Sequence, residues 1–172
     1  MLRSQVGTPE ASVKMAKADG GGEYNFYVDT AAVRAVNDWP SPAVFSGWEI
    51  GAPVMTGARL RELPENSPAR AAYFYYNGLR NRQSWDQTAI LYAVRGAGGY
   101  WRLSEPGVCL MHARVPAGYN EWIPSARGRH RYLVEKMPSA RLARVIEDLM
   151  LRAAGTRTPT RAGVRFDETR VR

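Results

Sequence analysis

The chain has 172 residues, 45% hydrophobic and 10% aromatic, a composition that excludes disorder throughout and suits one folded domain. Its 24 Lys and Arg against 16 Asp and Glu give a formal net charge of +8, which could attract nucleic acid or anionic lipid. The sequence has neither an apolar run near ~18 residues nor a signal-peptide core, so we expect a soluble, cytoplasmic protein with no membrane partner.

Composition divides the chain into three segments. Residues 1–18 form a poorly defined N-terminal segment, residues 19–154 carry the folded domain, and residues 155–172 are a basic tail with five arginines. We expect this tail to be disordered and solvated. A nucleic-acid contact is the less favoured alternative, because no aromatic residue other than Phe166 alternates with these arginines.

The first predicted elements are a helix and a strand. Asp29 is a suitable N-cap for a helix over residues 30–36, whose apolar positions share one face, and Trp39 with Pro40 ends it. The following residues, 43–50, begin as a continuous apolar run. This run predicts a strand that is buried on both faces in a parallel sheet.

Two further helices have recognisable starts. Ser67 followed by Pro68 predicts an N-cap and first residue of a helix that ends near Asn77 and Gly78 or at Arg82. The sequence SWDQ at residues 84–87 is a Ser-x-x-Gln capping box. It predicts a second helix that stops at Gly96.

The remainder of the domain combines strands with one long helix. Short strands are predicted at residues 100–103, 108–113, 119–123 and 131–134. Ser139 is a suitable cap for the last helix, which Gly155 closes. Its apolar face consists of Leu142, Val145, Ile146, Leu149 and Met150. Alternating helices and buried strands predict a three-layer α/β fold with a β-rich segment at residues 100–134.

Glu23 and Asn25 are the first candidate binding residues. Because one residue separates them, they point to the same side of an extended segment. A carboxylate accepts hydrogen bonds from sugar hydroxyls, and an amide both donates and accepts, so the pair suits a sugar. The alternative is an ordinary polar loop that precedes a helix.

Trp85 and Asp86 are the second candidate pair. An acidic side chain in the first turn of a helix is favourable to the helix dipole and requires no function. Asp86 is also a potential metal ligand, although hard cations such as Ca²⁺ take about six to eight oxygen ligands and one carboxylate is insufficient. Trp85 alone would be assigned to a core.

Other reactive side chains receive structural interpretations. Cys109 is the only cysteine, which excludes an intrachain disulfide, and its apolar neighbours favour a buried, inert thiol over a nucleophile. His112 and His130 lack a nearby Asp or Cys at metal-ligand spacing. We therefore expect ordinary core or surface roles for both.

Three segments in order carry a family resemblance. They are GEYNFYVD at residues 22–29, WPSPAVFSGWEIG at residues 39–51 and SWDQTA at residues 84–89. Their order and spacing resemble the C-terminal half of the inosine/uridine-preferring nucleoside hydrolase family. The resemblance covers roughly residues 19–154.

The resemblance implies a partial, Rossmann-like nucleoside hydrolase fold and an N-glycosidic hydrolase activity that releases ribose and a free base. In that family a Ca²⁺ ion binds the ribose diol and the attacking water. Carried over to this chain, Glu23 and Asn25 match the ribose-binding motif and Asp86 matches a calcium-binding aspartate. Trp85 stands where many relatives have a histidine that assists the departing base, and its ring could stack on the base.

The chain also departs from the family pattern. Asp19 is the only aspartate among residues 1–22, which hold no aspartate-rich motif. No catalytic base is therefore identified. A truncated gene model, a split gene or a decayed copy would each account for this, and we expect weak or no activity from the chain alone. An unpaired sheet edge would favour a homo-oligomer. The alternative function is a non-catalytic interaction module with a basic tail.

Overall fold

The computed structural model describes residues 31–112 and 119–155. The predicted Asp29 cap, the Glu23 and Asn25 pair, and the basic tail lie outside these residues. Within them, helices and strands are mixed. Their order is α1 Ala31–Asn37, β1 Ala43–Phe45, α2 Trp48–Gly51, β2 Met55–Thr56, a 3₁₀ helix Ala58–Glu62, α3 Pro68–Asn77, β3 Arg82–Gln83, α4 Trp85–Arg95, β4 Trp101–Leu103, β5 Gly107–His112, β6 Tyr119–Pro124, β7 His130–Glu135 and α5 Ser139–Gly155.

The main sheet is mixed, with five strands among the described residues. Its order is β1-β7-β5-β6, and β4 pairs with β7 beyond the end of β5. Strand β1 runs parallel to β7, as the apolar run predicts, whereas the other pairs are antiparallel. Strands β2 and β3 form a separate antiparallel pair in which Thr56 lies opposite Arg82.

Helices pack against both faces of the main sheet. In β1, Phe45 belongs to a cluster with Val33 of α1 and Cys109 of β5. Its neighbour Val44 contacts a second cluster, which includes Leu133 of β7. Because successive strand residues point to opposite faces, these two clusters cover the two sides of the sheet. The mixed α/β class that the sequence predicts is therefore confirmed.

Helix α5 follows its predicted apolar face closely. Leu142 and Ile146 are buried in the second cluster, and Val145, Leu149 and Met150 pack against it. Ser139 is the first helical residue, not the cap, since the carbonyl of Pro138 accepts the amides of Arg141 and Leu142. The four predicted strands between residues 100 and 134 are also present, within one or two residues of the expected bounds.

Two local predictions are wrong. The strand predicted over residues 43–50 ends at Phe45, because the chain turns at Gly47 into the short helix α2. The capping box at residues 84–87 does not form, because the Ser84 hydroxyl is hydrogen-bonded to Thr56, 2.5 Å away. The helix nevertheless begins and ends where it was predicted.

Helix α3 also has the predicted bounds. It begins at Pro68 and ends at Gly78, which has φ of 68° in the left-handed region that glycine tolerates. Ser67 precedes the helix, but its hydroxyl makes no capping hydrogen bond. None of the helices in the described ranges is long and apolar enough to cross a bilayer.

Candidate functional site

The segment carrying Trp85 and Asp86 opens helix α4 at the edge of a cavity. This cavity has a volume of about 350 Å³ and lies between α3, β3 and the start of α4. It is lined by Ala72, Tyr73, Tyr76, Arg82, Gln83, Trp85, Asp86 and Gln87. Trp85 and Asp86, which the sequence singles out together, therefore share one concave surface.

Aromatic rings and a guanidinium group form one wall of the cavity. The Cζ atom of Arg82 lies 4.3 Å from the centre of the Tyr76 ring and 5.9 Å from that of Trp85. Both distances are within the range of cation–π attraction. The indole Nε1 of Trp85 is buried and has no hydrogen-bond partner among the described residues. The guanidinium covers one face of the Tyr76 ring, and the aromatic surface that it leaves uncovered is one on which a planar ring can stack.

Asp86 supplies the negative charge of this cavity. It is exposed and lies in the first turn of α4, where the helix dipole favours a carboxylate. Across residues 31–112 and 119–155, no hydrogen bond or ion pair involves its side chain. Its oxygens are therefore available to a ligand, at least with respect to that part of the chain.

Three side-chain hydrogen bonds hold the start of α4 in place. The hydroxyl of Ser84 pairs with Thr56, and that of Thr88 pairs with Ser46 at 2.8 Å. The amide Nε2 of Gln87 donates to the Tyr73 hydroxyl at 3.2 Å, which joins α4 to α3. The cavity wall is thus fixed by residues on each side of Trp85 and Asp86.

A second cavity of about 360 Å³ adjoins the first. The two share Tyr76, Arg82, Gln83 and Trp85 in their linings. Asn77, Arg80 and Asn81 complete the second lining, so one groove runs from the acidic Asp86 to a basic end. The groove has one acidic and one basic end because Asp86 lies in the first lining, Arg80 in the second, and Arg82 in both.

The described residues do not by themselves suit the calcium ion that the family resemblance implies. Across residues 31–112 and 119–155, no three His, Cys, Asp or Glu side chains come together as a metal-binding group. Asp86 is the one carboxylate that lines this cavity in the described part of the chain. Since Ca²⁺ takes about six to eight oxygen ligands, further ligands would have to come from elsewhere.

The cysteine and the two histidines lie away from this cavity. Burial raises the pKa of the Cys109 thiol to about 12, which keeps it protonated and unreactive. His130 is buried, and its Nδ1 accepts the Cys109 amide at 2.9 Å. His112 lies 3.2 Å from Glu121 near the surface. The expected burial of Cys109 is confirmed, and the two histidines occupy one core and one surface position.

Sequence reasoning missed Arg82, Tyr73 and Tyr76. The usable signal was the aromatic run at residues 73–76 immediately before the SWDQ segment, since three of its side chains remain exposed on α3. The structure places Trp85 and Asp86 together, while Glu23 and Asn25 lie outside the described residues. Comparison with protein-family models, with curated proteins and with solved structures gives no match.

Proposed function

We propose that this chain is a nucleoside hydrolase-like protein with a partial Rossmann-like fold, and that the described cavity is the base-facing half of its ribonucleoside site. The observation that carries the proposal is the shared cavity of Trp85 and Asp86, bordered by Tyr76. A stacking surface beside a hydrogen-bond acceptor suits a flat base attached to a hydroxyl-rich sugar. The family resemblance of three ordered segments supports the same assignment.

Within this proposal the described residues bind and orient the nucleoside. The base stacks against Trp85 and Tyr76, and the ribose lies toward Asp86. Glu23 and Asn25, which lie outside the described residues, are proposed as further ribose-binding residues. Bound calcium would supply an activated water, but Asp86 alone does not make a calcium site, so the described residues do not account for activation of the water.

The reaction class is hydrolysis of an N-glycosidic bond. The base leaves with the bonding electron pair while water adds to the anomeric carbon, through an oxocarbenium-like transition state. Holding the base flat against an aromatic wall fixes the direction in which this bond breaks. We expect weak activity or none from the chain alone, because none of the described cavity residues is an identified base for the water.

Calcium and nucleoside binding can be tested on the full chain by thermal unfolding. We expect inosine or uridine with calcium to raise the melting temperature, since a ligand that binds only the native state stabilises it. Asp86→Ala should remove the calcium-dependent part of this increase. The proposal would be refuted if neither calcium nor nucleoside changed the melting temperature and no reducing sugar were released on long incubation.

A non-catalytic interaction module is the second candidate function. The observation in its favour is the exposure of Phe74, Tyr75 and Tyr76 on α3, which leaves 56%, 85% and 66% of these side chains accessible. Exposed aromatic side chains are common at protein interfaces. A salt-sensitive shift with nucleic acid that is lost on deleting residues 156–172 would favour this module.

A further inference from the structure

Arg82 occupies the centre of the groove and is fixed there by its neighbours. It is half-buried and contributes to both cavity linings. Its backbone is paired with Thr56 in the β2–β3 ladder, and its guanidinium lies 4.3 Å from the centre of the Tyr76 ring. A cation held in this way has a defined position at the aromatic wall.

Several arginines near the cavities donate to acceptors, whereas the Arg82 guanidinium has no acceptor among the described residues. Arg59 binds Asp148 at 2.6 Å, and Arg70 donates to the Leu63 carbonyl at 2.7 Å. Within residues 31–112 and 119–155, the Arg82 guanidinium lies against two aromatic rings and makes no hydrogen bond or ion pair. A guanidinium has five N–H donors, so Arg82 can offer several to a ligand in the groove.

The proposed reaction needs a group that accepts negative charge on the base. When the C1′–N bond breaks, its electron pair remains on the base nitrogen, and the base departs as an anion unless it is protonated. Trp85 has no proton to give at neutral pH, and the described lining of the cavity contains no histidine. A fixed cation that donates hydrogen bonds can stabilise the anion instead.

We propose that Arg82 is a catalytic residue that binds the departing base as an anion, and this inference rests on the proposed nucleoside site. The charge left on the base spreads to its carbonyl oxygens, which accept N–H donors from the guanidinium. Water forms the new C1′–O bond, and its proton goes to the solvent or to the released base. Atoms and charge therefore balance with water as the only co-reactant.

Binding of free bases tests this role even if turnover is absent. Xanthine and hypoxanthine share the purine ring; at mildly alkaline pH xanthine is an anion while hypoxanthine is neutral, and xanthine also carries an additional C2 carbonyl that can accept from the guanidinium. By titration calorimetry on the full chain, we expect xanthine to bind about tenfold tighter or more, the factor expected of a charge-assisted hydrogen bond. This advantage should vanish in Arg82→Gln.

Two controls keep the test specific. Arg102→Gln removes the same charge from an exposed residue of β4, which is outside the cavity, and should retain the preference for xanthine. Arg82→Lys keeps the positive charge but lacks the planar, forked donors of a guanidinium, and it should retain part of the preference for xanthine. Circular dichroism checks that each variant is folded.

Three results would overturn the role of Arg82. They are equal affinity for the two bases, an unchanged preference in Arg82→Gln, and no binding of either base. The nucleoside site itself is judged separately, by binding of inosine and uridine in the presence of calcium. If nucleosides bind while the anionic base has no advantage, only the inference about Arg82 fails.

Discussion

The two sides of this molecule differ in how their polar groups are paired. On the packed side, formed by strands β4–β7 with helices α1 and α5, the partly buried Asn37 and the buried Glu147 are hydrogen-bonded to the backbone. Asn37 exchanges two hydrogen bonds with the backbone of Met111, at 2.8 and 2.9 Å. Glu147 of α5 accepts the Gly57 amide at 2.9 Å.

The cavity side, formed by α3, β3 and the start of α4, has polar groups that lack such partners. Among the described residues, the Arg82 guanidinium lies against aromatic rings without an acceptor, and the Nε1 atom of Trp85 also has no acceptor. Asp86 is exposed at the rim of the same cavity. The two sides therefore differ in a few named groups: Asn37 and Glu147 are hydrogen-bonded to the backbone, whereas Arg82, Asp86 and the Trp85 Nε1 atom have no hydrogen-bond partner among the described residues.

The largest expected effect is on the packed side, at the turn before β7. A Cβ atom on Gly128 would overlap with the carbonyl group and Cα of Gly107. We expect Gly128→Ala to lower the free energy of unfolding by ~3 kcal/mol, since backbone atoms cannot move aside easily. Urea unfolding measures this loss. Gly99→Ala is the matched control, because an added Cβ there meets open space.

Loss of the buried carboxylate should be the next largest effect. Glu147 is 6% exposed and accepts the amides of Gly57 and Arg59, at 2.9 and 3.4 Å. Glu147→Ala leaves these donors unpaired and should cost ~2 kcal/mol of unfolding free energy. Glu147→Gln keeps an accepting oxygen and should cost less. Equal losses in both variants would show that the hydrogen bonds contribute little.

A pH-dependent loss of stability is expected from His130. Burial and the nearby charge of Arg129 lower its pKa, so the unfolded chain binds a proton more readily than the folded one. The unfolding free energy that neutral His130 contributes is therefore fully present above the ordinary histidine pKa of about 6.5. It is lost as the pH falls from there through the lower pKa of the folded chain. Unfolding titrations from pH 8 to 5, compared with His130→Gln, measure it. The same acid slope in both proteins would contradict this assignment.

The smallest effect on stability is expected on the cavity side. Asp86→Asn removes a charge that has no partner among the described residues, so the unfolding free energy should change by less than ~0.5 kcal/mol. Ligand-induced stabilisation should nevertheless decrease in this variant. A loss of stability as large as that of Glu147→Ala would make Asp86 a structural residue and remove the distinction between the two sides.

Periodic patterns in the sequence predicted much of the packed side. The spacing of Leu142, Ile146 and their neighbours predicted α5, and an apolar segment between Gly and Pro turns predicted β5. These patterns are readable because burial of one face repeats with the geometry of the element itself. The parallel pairing of β1 was also predicted, from its apolar run.

The local chemistry around the cavity was less predictable. The Ser84 hydroxyl is hydrogen-bonded to Thr56, 28 residues away, and not to the nearby helix amides. Tertiary contacts determine this pairing. Similarly, nothing in the spacing of Tyr76, Arg82 and Trp85 indicates that they meet across a turn. Trp85 and Asp86 were identified through their family resemblance, and their shared cavity emerges only from the folded structure.

The most direct measurement is a calorimetric titration of the full chain with inosine and uridine in the presence of calcium. We predict saturable binding that Tyr76→Ala weakens about tenfold, since stacking of one base contributes ~1–3 kcal/mol. Tyr75→Ala is the matched control, because Tyr75 is adjacent and exposed but does not line this cavity. No saturable binding, or equal losses in the two tyrosine variants, would contradict a nucleoside site on this side.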